Sequence, residues 1–294
     1  MTTRPIVVGV DGSEESLRAV EWAAREAHRH GAPLRLVSAP AVPPRMLASD
    51  PAPQGVAKVL GSVPRRALAE AITRAGEVAQ DLLVDTDLLT GPPALMVTGS
   101  GCGALMLVVG ARGAGGFAAM LLGSVSRYAA MHASCPVVVV REETGVVHRE
   151  VVVGIRDPHD MTATLPFGFE EAALRGATLV AVYAGHFPAP VGDLGAGEAG
   201  HPANPSKVSV EAADHLAEDL RSWREKYPDV PVRQDVVRGH PGRVLASYTA
   251  RADLVVIGRR GGHDSGPAIG AVQHAVLNHA HGPVAIVPTG SARS

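Results

Sequence analysis

Glycine is concentrated in one short part of this chain. The stretch 108–116, VVGARGAGG, holds four glycines directly after an apolar run, and a further glycine, Gly123, stands before Ser124. Glycine loses much conformational freedom on folding, so its use is costly unless the backbone must approach something closely. A glycine loop that leads into a helix can aim backbone N–H groups and the positive end of the helix at an anion. The spacing therefore indicates a loop that could hold phosphate, with Ser124 and Ser126 adding hydroxyl donors.

A carboxylate completes this candidate pocket. Asp11 follows the apolar run IVVGV near the N-terminus, and it should lie near the glycine loop if the two apolar runs form neighbouring strands. A carboxylate in that place can accept hydrogen bonds from a ribose diol. The residues therefore predict a nucleotide pocket, with phosphates on the loop and the sugar on Asp11. The competing interpretation is that the glycines only permit a tight turn from strand to helix.

Composition limits the classes of partner. The 294 residues carry a net charge of −2 at pH 7, which argues against a large electrostatic footprint for nucleic acid. The N-terminus lacks the apolar core of a signal peptide, and no apolar run reaches the roughly 18 residues of a membrane span. The two cysteines, Cys102 and Cys135, form no C-x-x-C motif, which favours reduced thiols. We expect a soluble cytoplasmic protein with no nucleic-acid and no membrane partner.

The chain contains two copies of one pattern. PIVVGVDGS at 5–13 returns as EVVVGIRDP at 150–158, and CPVVVVRE returns as GPVAIVPT. The glycine loop returns as well, because ALMLVVGARGAGG is followed about 147 residues later by ADLVVIGRRGGHD. A period this long indicates a duplicated domain rather than a solenoid. The predicted boundaries are 1–143 for the first domain and 148–290 for the second.

Each copy alternates apolar strand patterns with helical patterns. In the first copy, apolar residues at helical spacing predict a long helix over 14–30, with Ser13 as its N-cap and Gly31 at its end. Strands are expected at 6–10, 34–39, 83–89, 105–110 and 136–141, and further helices at 63–80, 94–101 and 125–133. Two Pro-rich stretches, 40–55 and 185–207, are expected to be irregular. The pattern indicates an α/β fold in which each domain is a doubly wound, five-stranded parallel sheet with its ligand site at the carboxyl ends of the strands.

The spacing of the loop residues matches a known motif. Gly110, Gly113, Gly123 and Ser124 reproduce G-x2-G-x9-G-[ST], the ATP-binding motif of the universal stress protein family. Nearly the whole chain resembles this family, including VVGVDGSEESLRAVEWAAREA, LVVGARGAGGF, LLGSVSR and CPVVVV, and the paired domains are similar to its tandem actinobacterial members. The resemblance implies the adenine nucleotide alpha hydrolase-like fold, with strand order 3-2-1-4-5 in each domain, and ATP, with or without Mg²⁺, as the ligand.

The resemblance also implies roles for individual residues. Asp11 would hold the ribose, the backbone of Ala39 would meet the adenine, and Arg112 would face phosphate. The implied nucleotide-binding set is Gly9, Val10, Asp11, Ala39, Val109, Gly110, Arg112, Gly113, Gly123, Ser124, Val125 and Ser126. Family members also pair through their last strands, here 136–141 and 283–288, which implies a homodimer or a pair of domains within one chain.

The second copy departs from the motif. Arg156 stands where the first copy has Asp11, and the loop reads Gly258-x2-Gly261-x8-Gly270-Ala271, one residue short and without the hydroxyl. Pro267 also stiffens that loop. One interpretation is a new anion site made by Arg156, Arg259 and Arg260. The other, which we favour, is a degenerate domain that serves for pairing with the first domain and for dimerisation.

No catalytic constellation stands out in the sequence. Ser124 has no histidine at a suitable spacing, the chain lacks a Walker A loop, and His274, His279 and His281 do not form a metal-binding motif. The sequence thus predicts an ATP-binding regulatory protein of the stress response, in which the nucleotide modulates dimer or partner contacts. A scaffold that binds no nucleotide and a slow ATP hydrolase are the alternatives, and cAMP ranks below ATP as the ligand.

Overall fold

The computed structural model describes most of the chain. The described residues are 4–40, 54–114, 121–141, 146–156, 158–185, 207–259 and 269–289, and for residues 54–60, 158–160, 207–213 and 215 only the backbone is described. The two Pro-rich stretches therefore lie almost wholly outside the described residues, as do Gly115, Gly116, Arg260, Gly261 and Pro267.

The first domain has the expected alternation of strands and helices. Its strands are β1 (Ile6–Gly9), β2 (Leu34–Ser38), β3 (Val84–Leu88), β4 (Met106–Gly110) and β5 (Val137–Val140). Its helices are α1 (Glu14–His30), α2 (Gln54–Val78), α3 (Pro93–Ser100) and α4 (Ser124–His132). Helix α2 starts nine residues before the predicted position 63 and continues through Pro64. Pro64 is buried, so tertiary packing outweighs the usual cost of proline inside a helix.

Helix α1 begins and ends at the predicted signals. The side chain of Ser13 accepts a hydrogen bond from the backbone N–H of Ser16 at 3.2 Å, and Glu14 and Glu15 occupy the first turn. Gly31 ends the helix in the left-handed conformation, with φ of 57°. This N-terminal turn lies beside the candidate loop, so its capping residues also shape the site.

The second domain repeats the same order of elements. Its strands are β6 (Glu150–Ile155), β7 (Thr178–Gly185), β8 (Val232–Arg238), β9 (Leu254–Arg259) and β10 (Val284–Pro288). Its helices are α5 (Pro158–Arg175), α6 (Lys207–Lys226), α7 (Pro241–Tyr248) and α8 (Ala271–His279). Helices α4 and α8 occupy equivalent places in the two domains, each directly before the last strand.

All ten strands form one continuous sheet. Their order is β3-β2-β1-β4-β5-β10-β9-β6-β7-β8, so each domain has the implied order 3-2-1-4-5. Neighbours within each domain are parallel, whereas β5 and β10 pair antiparallel with Val138 opposite Ala285. The last strands of the two domains are therefore paired within the chain, and a homodimer through the same strands would have to break this ladder.

Apolar side chains cover both faces of the sheet. Alternate residues of β1 and β4 point to opposite sides, so Ile6 and Val108 belong to one buried cluster while Val7 and Leu107 belong to the other. The helices pack on these two faces, as expected for a doubly wound sheet. Among the described helices, none combines the length and the apolar character that crossing a bilayer requires.

Candidate functional site

The sheet brings Asp11 and the glycine loop together. Strands β1 and β4 are adjacent and parallel, with Val8 opposite Val108, so their carboxyl ends meet at one edge of the sheet. Asp11 follows β1, and Gly110 is the last residue of β4. The predicted proximity of these two residues is thus present in the structure.

Gly110 is explained by packing within the chain. A Cβ built on Gly110 would stand 2.7 Å from the carbonyl carbon and oxygen of Glu15, in the first turn of α1. These are backbone atoms, which cannot move aside as a flexible side chain can. Gly110 therefore allows β4 to pass directly against the start of α1.

Asp11 anchors the loop that follows β4. Its Oδ2 accepts a hydrogen bond of 2.8 Å from the backbone N–H of Ala114. Its Oδ1 accepts two more, from the backbone N–H of Ser13 at 3.0 Å and from the Ser13 hydroxyl at 2.6 Å. A Cβ on Gly113 would lie 2.3 Å from Asp11 Oδ2, so Gly113 is needed for this contact. Asp11 is exposed and its oxygens have further lone pairs, so the carboxylate can accept additional hydrogen bonds.

Gly123 differs from the other two motif glycines. It is the N-cap of α4 with φ of −70° and ψ of 160°, a conformation that any residue adopts. A Cβ there would have its nearest neighbours, in Ala111 and Arg112, at 3.4 Å, which is ordinary van der Waals contact. As a glycine, the N-cap residue offers no side chain to cap the helix. Neither backbone conformation nor packing of the described residues therefore requires glycine at 123, and a small residue there leaves the first N–H groups of α4 open to an anion.

The two serines of α4 have different environments. The hydroxyl of Ser126 is buried and donates a hydrogen bond of 2.6 Å to the carbonyl of Gly110. Its hydrogen is thus engaged in joining α4 to the end of β4. Ser124 is exposed at the first position of the helix. Of the two predicted hydroxyl donors, Ser124 is the exposed one.

The remaining residues of the predicted nucleotide-binding set lie on the strands beneath the candidate site and at its rim. Gly9 and Val109 lie on the strands beneath the site, and a Cβ on Gly9 would approach Val97 to 2.9 Å, so this glycine serves the packing of α3. Arg112 stands at the rim, with its Nη2 3.2 Å from Glu15 Oε1 and its side chain 42% exposed. Among the described residues of the set, Val10 follows β1, Ala39 follows β2, and Val125 packs its side chain onto the core under α4.

Comparison with known proteins identifies the family. The family model described as "Universal stress protein family" matches residues 2–141 and 148–288, which together make up nearly the whole chain. The chain belongs to the universal stress protein family. A universal stress protein of Mycobacterium tuberculosis is 35% identical over 289 residues, and one of Mycolicibacterium smegmatis is 37% identical over 297 residues. In each case the match covers 96% of this chain and 96% of the relative.

A solved structure has the same tandem fold. The crystal structure of a universal stress protein from Archaeoglobus fulgidus superposes with a TM-score of 0.74 and covers 99% of this chain and 100% of its own. The two sequences are 16% identical, so this likeness concerns the fold alone. The two family-model matches correspond to the two five-stranded units of the sheet.

In the second universal stress protein domain, a side chain lies over the start of helix α8. Gln273 occupies the place that Ser126 has in the first domain, and its Nε2 donates a hydrogen bond of 2.6 Å to the carbonyl of Gly258. The Oε1 of Gln273 lies 2.3 Å from where a Cβ on Gly270 would stand. The amide therefore lies over the first turn of α8, whereas the first domain has the shorter Ser126 in that place. Sequence reasoning missed Gln273, although the repeat offset aligns it with Ser126.

One of the three arginines considered for a new anion site in the second domain is engaged elsewhere in the described part of the chain. Arg259 donates hydrogen bonds to the carbonyls of Met131 and Ala133, at the end of α4 in the first domain. Its burial lowers the pKa of the guanidinium. Arg156 is exposed after β6, and Arg260 lies outside the described residues. With Arg259 engaged at the domain interface, the geometry favours the interpretation of a degenerate second domain.

A buried charged cluster joins the two universal stress protein domains at another place. Arg175 of α5 contacts Glu171 on its own helix, and its Nη2 lies 2.7 Å from Oε2 of Glu26 in α1. Arg29 also contacts Glu26, and the Nε2 of His30 lies 3.0 Å from Glu171 Oε1. Three potential metal-ligand atoms of Glu26, His30 and Glu171 lie within 4.8 Å of one another, and Arg175 supplies positive charge beside them.

Burial and charge move the pKa values of this cluster in opposite directions. Burial raises the pKa of Glu26, and the neighbouring Glu171 adds to that effect. Burial also acts to raise the pKa of Glu171, but Arg175 and His30 together outweigh it and lower that pKa. Burial acts to lower the pKa of His30, yet its hydrogen bond to Glu171 makes the net shift upward. We therefore expect contact between the domains to depend on pH.

Proposed function

We propose that this universal stress protein is a nucleotide-binding regulator that holds ATP in its first domain. The observation that carries this proposal is the start of α4. Gly123 has no role in the packing of the described residues, and as the N-cap it offers no side chain to the first N–H groups of α4, where the exposed Ser124 begins the helix. Uncapped N–H groups at the positive end of a helix are a binding place for phosphate.

The residues present fit a nucleoside triphosphate. The backbone N–H groups at the start of α4 and the Ser124 hydroxyl would donate to phosphate oxygens, and Arg112 would add a positive charge. Arg112 now pairs with Glu15, so a phosphate would compete with that carboxylate. Asp11 would accept hydrogen bonds from the ribose through its remaining lone pairs. The backbone after β2, at Ala39, would meet the adenine.

The proposal includes one nucleotide per chain. In the second domain, Gln273 covers the equivalent helix start, and Arg156 replaces the carboxylate. A triphosphate there would have to displace the Gln273 amide from Gly258, and its ribose would meet Arg156 where the first domain has the Asp11 carboxylate. Mg²⁺ would arrive with the phosphates rather than in a site made by side chains alone.

A second candidate function is a scaffold that binds no nucleotide. The contacts of Gly110 and Gly113 favour it, because both glycines are already explained by atoms of the chain itself. Both oxygens of Asp11 likewise have partners within the loop. The scaffold interpretation does not account for Gly123, which is why we place the nucleotide first.

Calorimetric titration with ATP and Mg²⁺ separates these two functions. Gly123→Ala is the informative variant, because a methyl group there crowds the helix start but contacts the chain only at 3.4 Å. Gly76→Ala in α2 is the matched control, since nothing lies within 4 Å of its Cβ position. We expect wild type and Gly76→Ala to bind ATP alike and Gly123→Ala to bind it more weakly while remaining folded. No binding by wild type at millimolar ATP would leave the scaffold function.

A further inference from the structure

Helix α4 is held at its far end by the second domain. The last carbonyls of a helix have no partner within it. At the end of α4, the carbonyl of Met131 and that of the C-cap residue Ala133 accept hydrogen bonds from the guanidinium of Arg259. Arg259 ends β9 and belongs to the second domain. A positive charge at this end of the helix also complements the helix dipole.

A second arginine makes the reciprocal contact. Arg141 follows β5 in the first domain and donates to the carbonyl of Leu277, in the last turn of α8 in the second domain. The same Nη2 donates to the carbonyl of Leu121 at 2.8 Å. Leu121 lies two residues before Gly123, on the segment that leads back to the start of α4. One guanidinium thus contacts both the segment that leads into the proposed nucleotide site and the other domain.

The two arginines constrain the two ends of helix α4. Helix α4 has nine residues and so spans about 13 Å. Arg259 fixes its carboxyl end, and Arg141 fixes the segment that enters its amino end at Gly123. A shift of α8 or β9 relative to the first domain would therefore pull on the backbone N–H groups that we assign to phosphate.

We propose that Arg141 and Arg259 are positioning residues through which the second domain holds the nucleotide site of the first domain in its binding geometry. This proposal rests on the proposed function, because it concerns the affinity of the same site. It gives the degenerate second domain a role beyond pairing. Thermodynamic reciprocity then requires that nucleotide in the first domain also stabilise the contacts of the two arginines with α4 and α8.

The experiment combines ATP affinity with hydrogen exchange. The variants are Arg259→Ala, Arg141→Ala and Arg141→Lys, and Arg221→Ala is the control, because Arg221 is 68% exposed and pairs with Glu218 on its own helix. We expect Arg259→Ala and Arg141→Ala to weaken ATP binding about three- to thirtyfold, the range found for residues that couple sites at a distance. Arg221→Ala should match wild type. Arg141→Lys should recover part of the affinity, since an ammonium group can still donate to both carbonyls.

Hydrogen exchange without nucleotide gives an independent readout. Loss of Arg259 should speed amide exchange at 123–126, at the opposite end of α4, and ATP bound to wild type should slow exchange at 277–281 in the second domain. If wild type binds ATP and both alanine variants bind it equally well, the positioning role is wrong while the nucleotide function stands. If wild type binds no ATP, the proposed function fails, and unchanged exchange at 123–126 in Arg259→Ala would overturn the positioning role as well. Faster exchange at 123–126 in Arg259→Ala would support the role of Arg259 in holding the start of α4.

Discussion

The carboxylate of Asp11 lies directly against Gly113. A Cβ atom added to this glycine would stand 2.3 Å from Oδ2 of Asp11. The same oxygen accepts the hydrogen bond from Ala114 that starts the loop. Asp11 is therefore part of the loop's construction as well as the proposed ribose ligand. A variant at Gly113 moves Asp11 too, so it cannot separate loss of ligand contacts from loss of structure.

The three motif glycines should differ in their effect on stability. Gly110→Ala places a methyl group 2.7 Å from the backbone of Glu15, so we expect overpacking to lower the free energy of unfolding by about 1–3 kcal/mol. Gly123→Ala meets nothing closer than 3.4 Å and should cost less than about 1 kcal/mol, chiefly through the weaker N-cap. Denaturant unfolding of both variants measures this. Equal stability of Gly110→Ala and wild type would contradict the packing assigned to Gly110.

Substitution of Ser124 should affect ATP binding, whereas substitution of Ser126 should affect stability. Ser126→Ala leaves the buried carbonyl of Gly110 without its 2.6 Å donor, so we expect a loss of about 1–3 kcal/mol in the free energy of unfolding. Ser124→Ala changes an exposed residue and should alter stability by no more than about 0.5 kcal/mol, while it weakens ATP binding. Unfolding and calorimetry on the two variants give the comparison. A stable Ser126→Ala, or a Ser124→Ala that binds ATP like wild type, would refute the assigned roles.

The buried cluster predicts a pH dependence with a definite sign. Burial raises the pKa of Glu26 to about 7, above its value in the unfolded chain. The stability that protonated Glu26 contributes is therefore complete below about pH 4.5 and is lost as the pH rises through 7. The raised pKa of His30 acts in the same direction. The free energy of unfolding should thus fall between pH 5 and pH 8, with at most about 1.4 kcal/mol per pH unit from Glu26.

Two variants isolate the contribution of Glu26. Glu26→Gln imitates the uncharged side chain, so its free energy of unfolding should fall less steeply than that of wild type between pH 5 and pH 8. Glu171 is ionised throughout this window because its pKa is lowered, and Glu171→Gln leaves Arg175 without its closest partner. That variant should lose about 3–5 kcal/mol at every pH in the window. Identical slopes for wild type and Glu26→Gln would show that Glu26 does not titrate there.

Much of the fold follows from local patterns in the sequence. Apolar runs, the caps at Ser13 and Gly31 and the repeat predict the strands and helix α1, and adjacency of parallel strands places Asp11 beside Gly110. The beginning of α2 was placed wrongly, because proline usually marks a helix boundary and Pro64 lies inside this one. The sequence also allowed either an intrachain pair or a homodimer through the last strands, and β5 pairs with β10 within the chain.

Contacts between the domains could not be predicted from either copy alone. Glu26 and His30 look like charges on the solvated face of an amphipathic helix, yet Glu171 and Arg175 from the equivalent turn of α5 bury them. The available signal was the repeat itself, because EAHRHG and EAALRG are equivalent segments with charged residues at matching places. Arg259 resembles a phosphate ligand by its position at the end of β9, but it reaches α4 only because the two five-stranded units are joined in one sheet.

The most direct test of the central claim is an amide chemical-shift titration of the full chain with ATP and Mg²⁺. The account predicts that the amide resonances of Ser124 and Val125 shift with one nucleotide bound per chain. It also predicts that the equivalent amides of Ala271 and Val272 do not report a second binding event. Unchanged resonances at Ser124 and Val125 under millimolar ATP, or saturation of a second site at Ala271 and Val272, would contradict it.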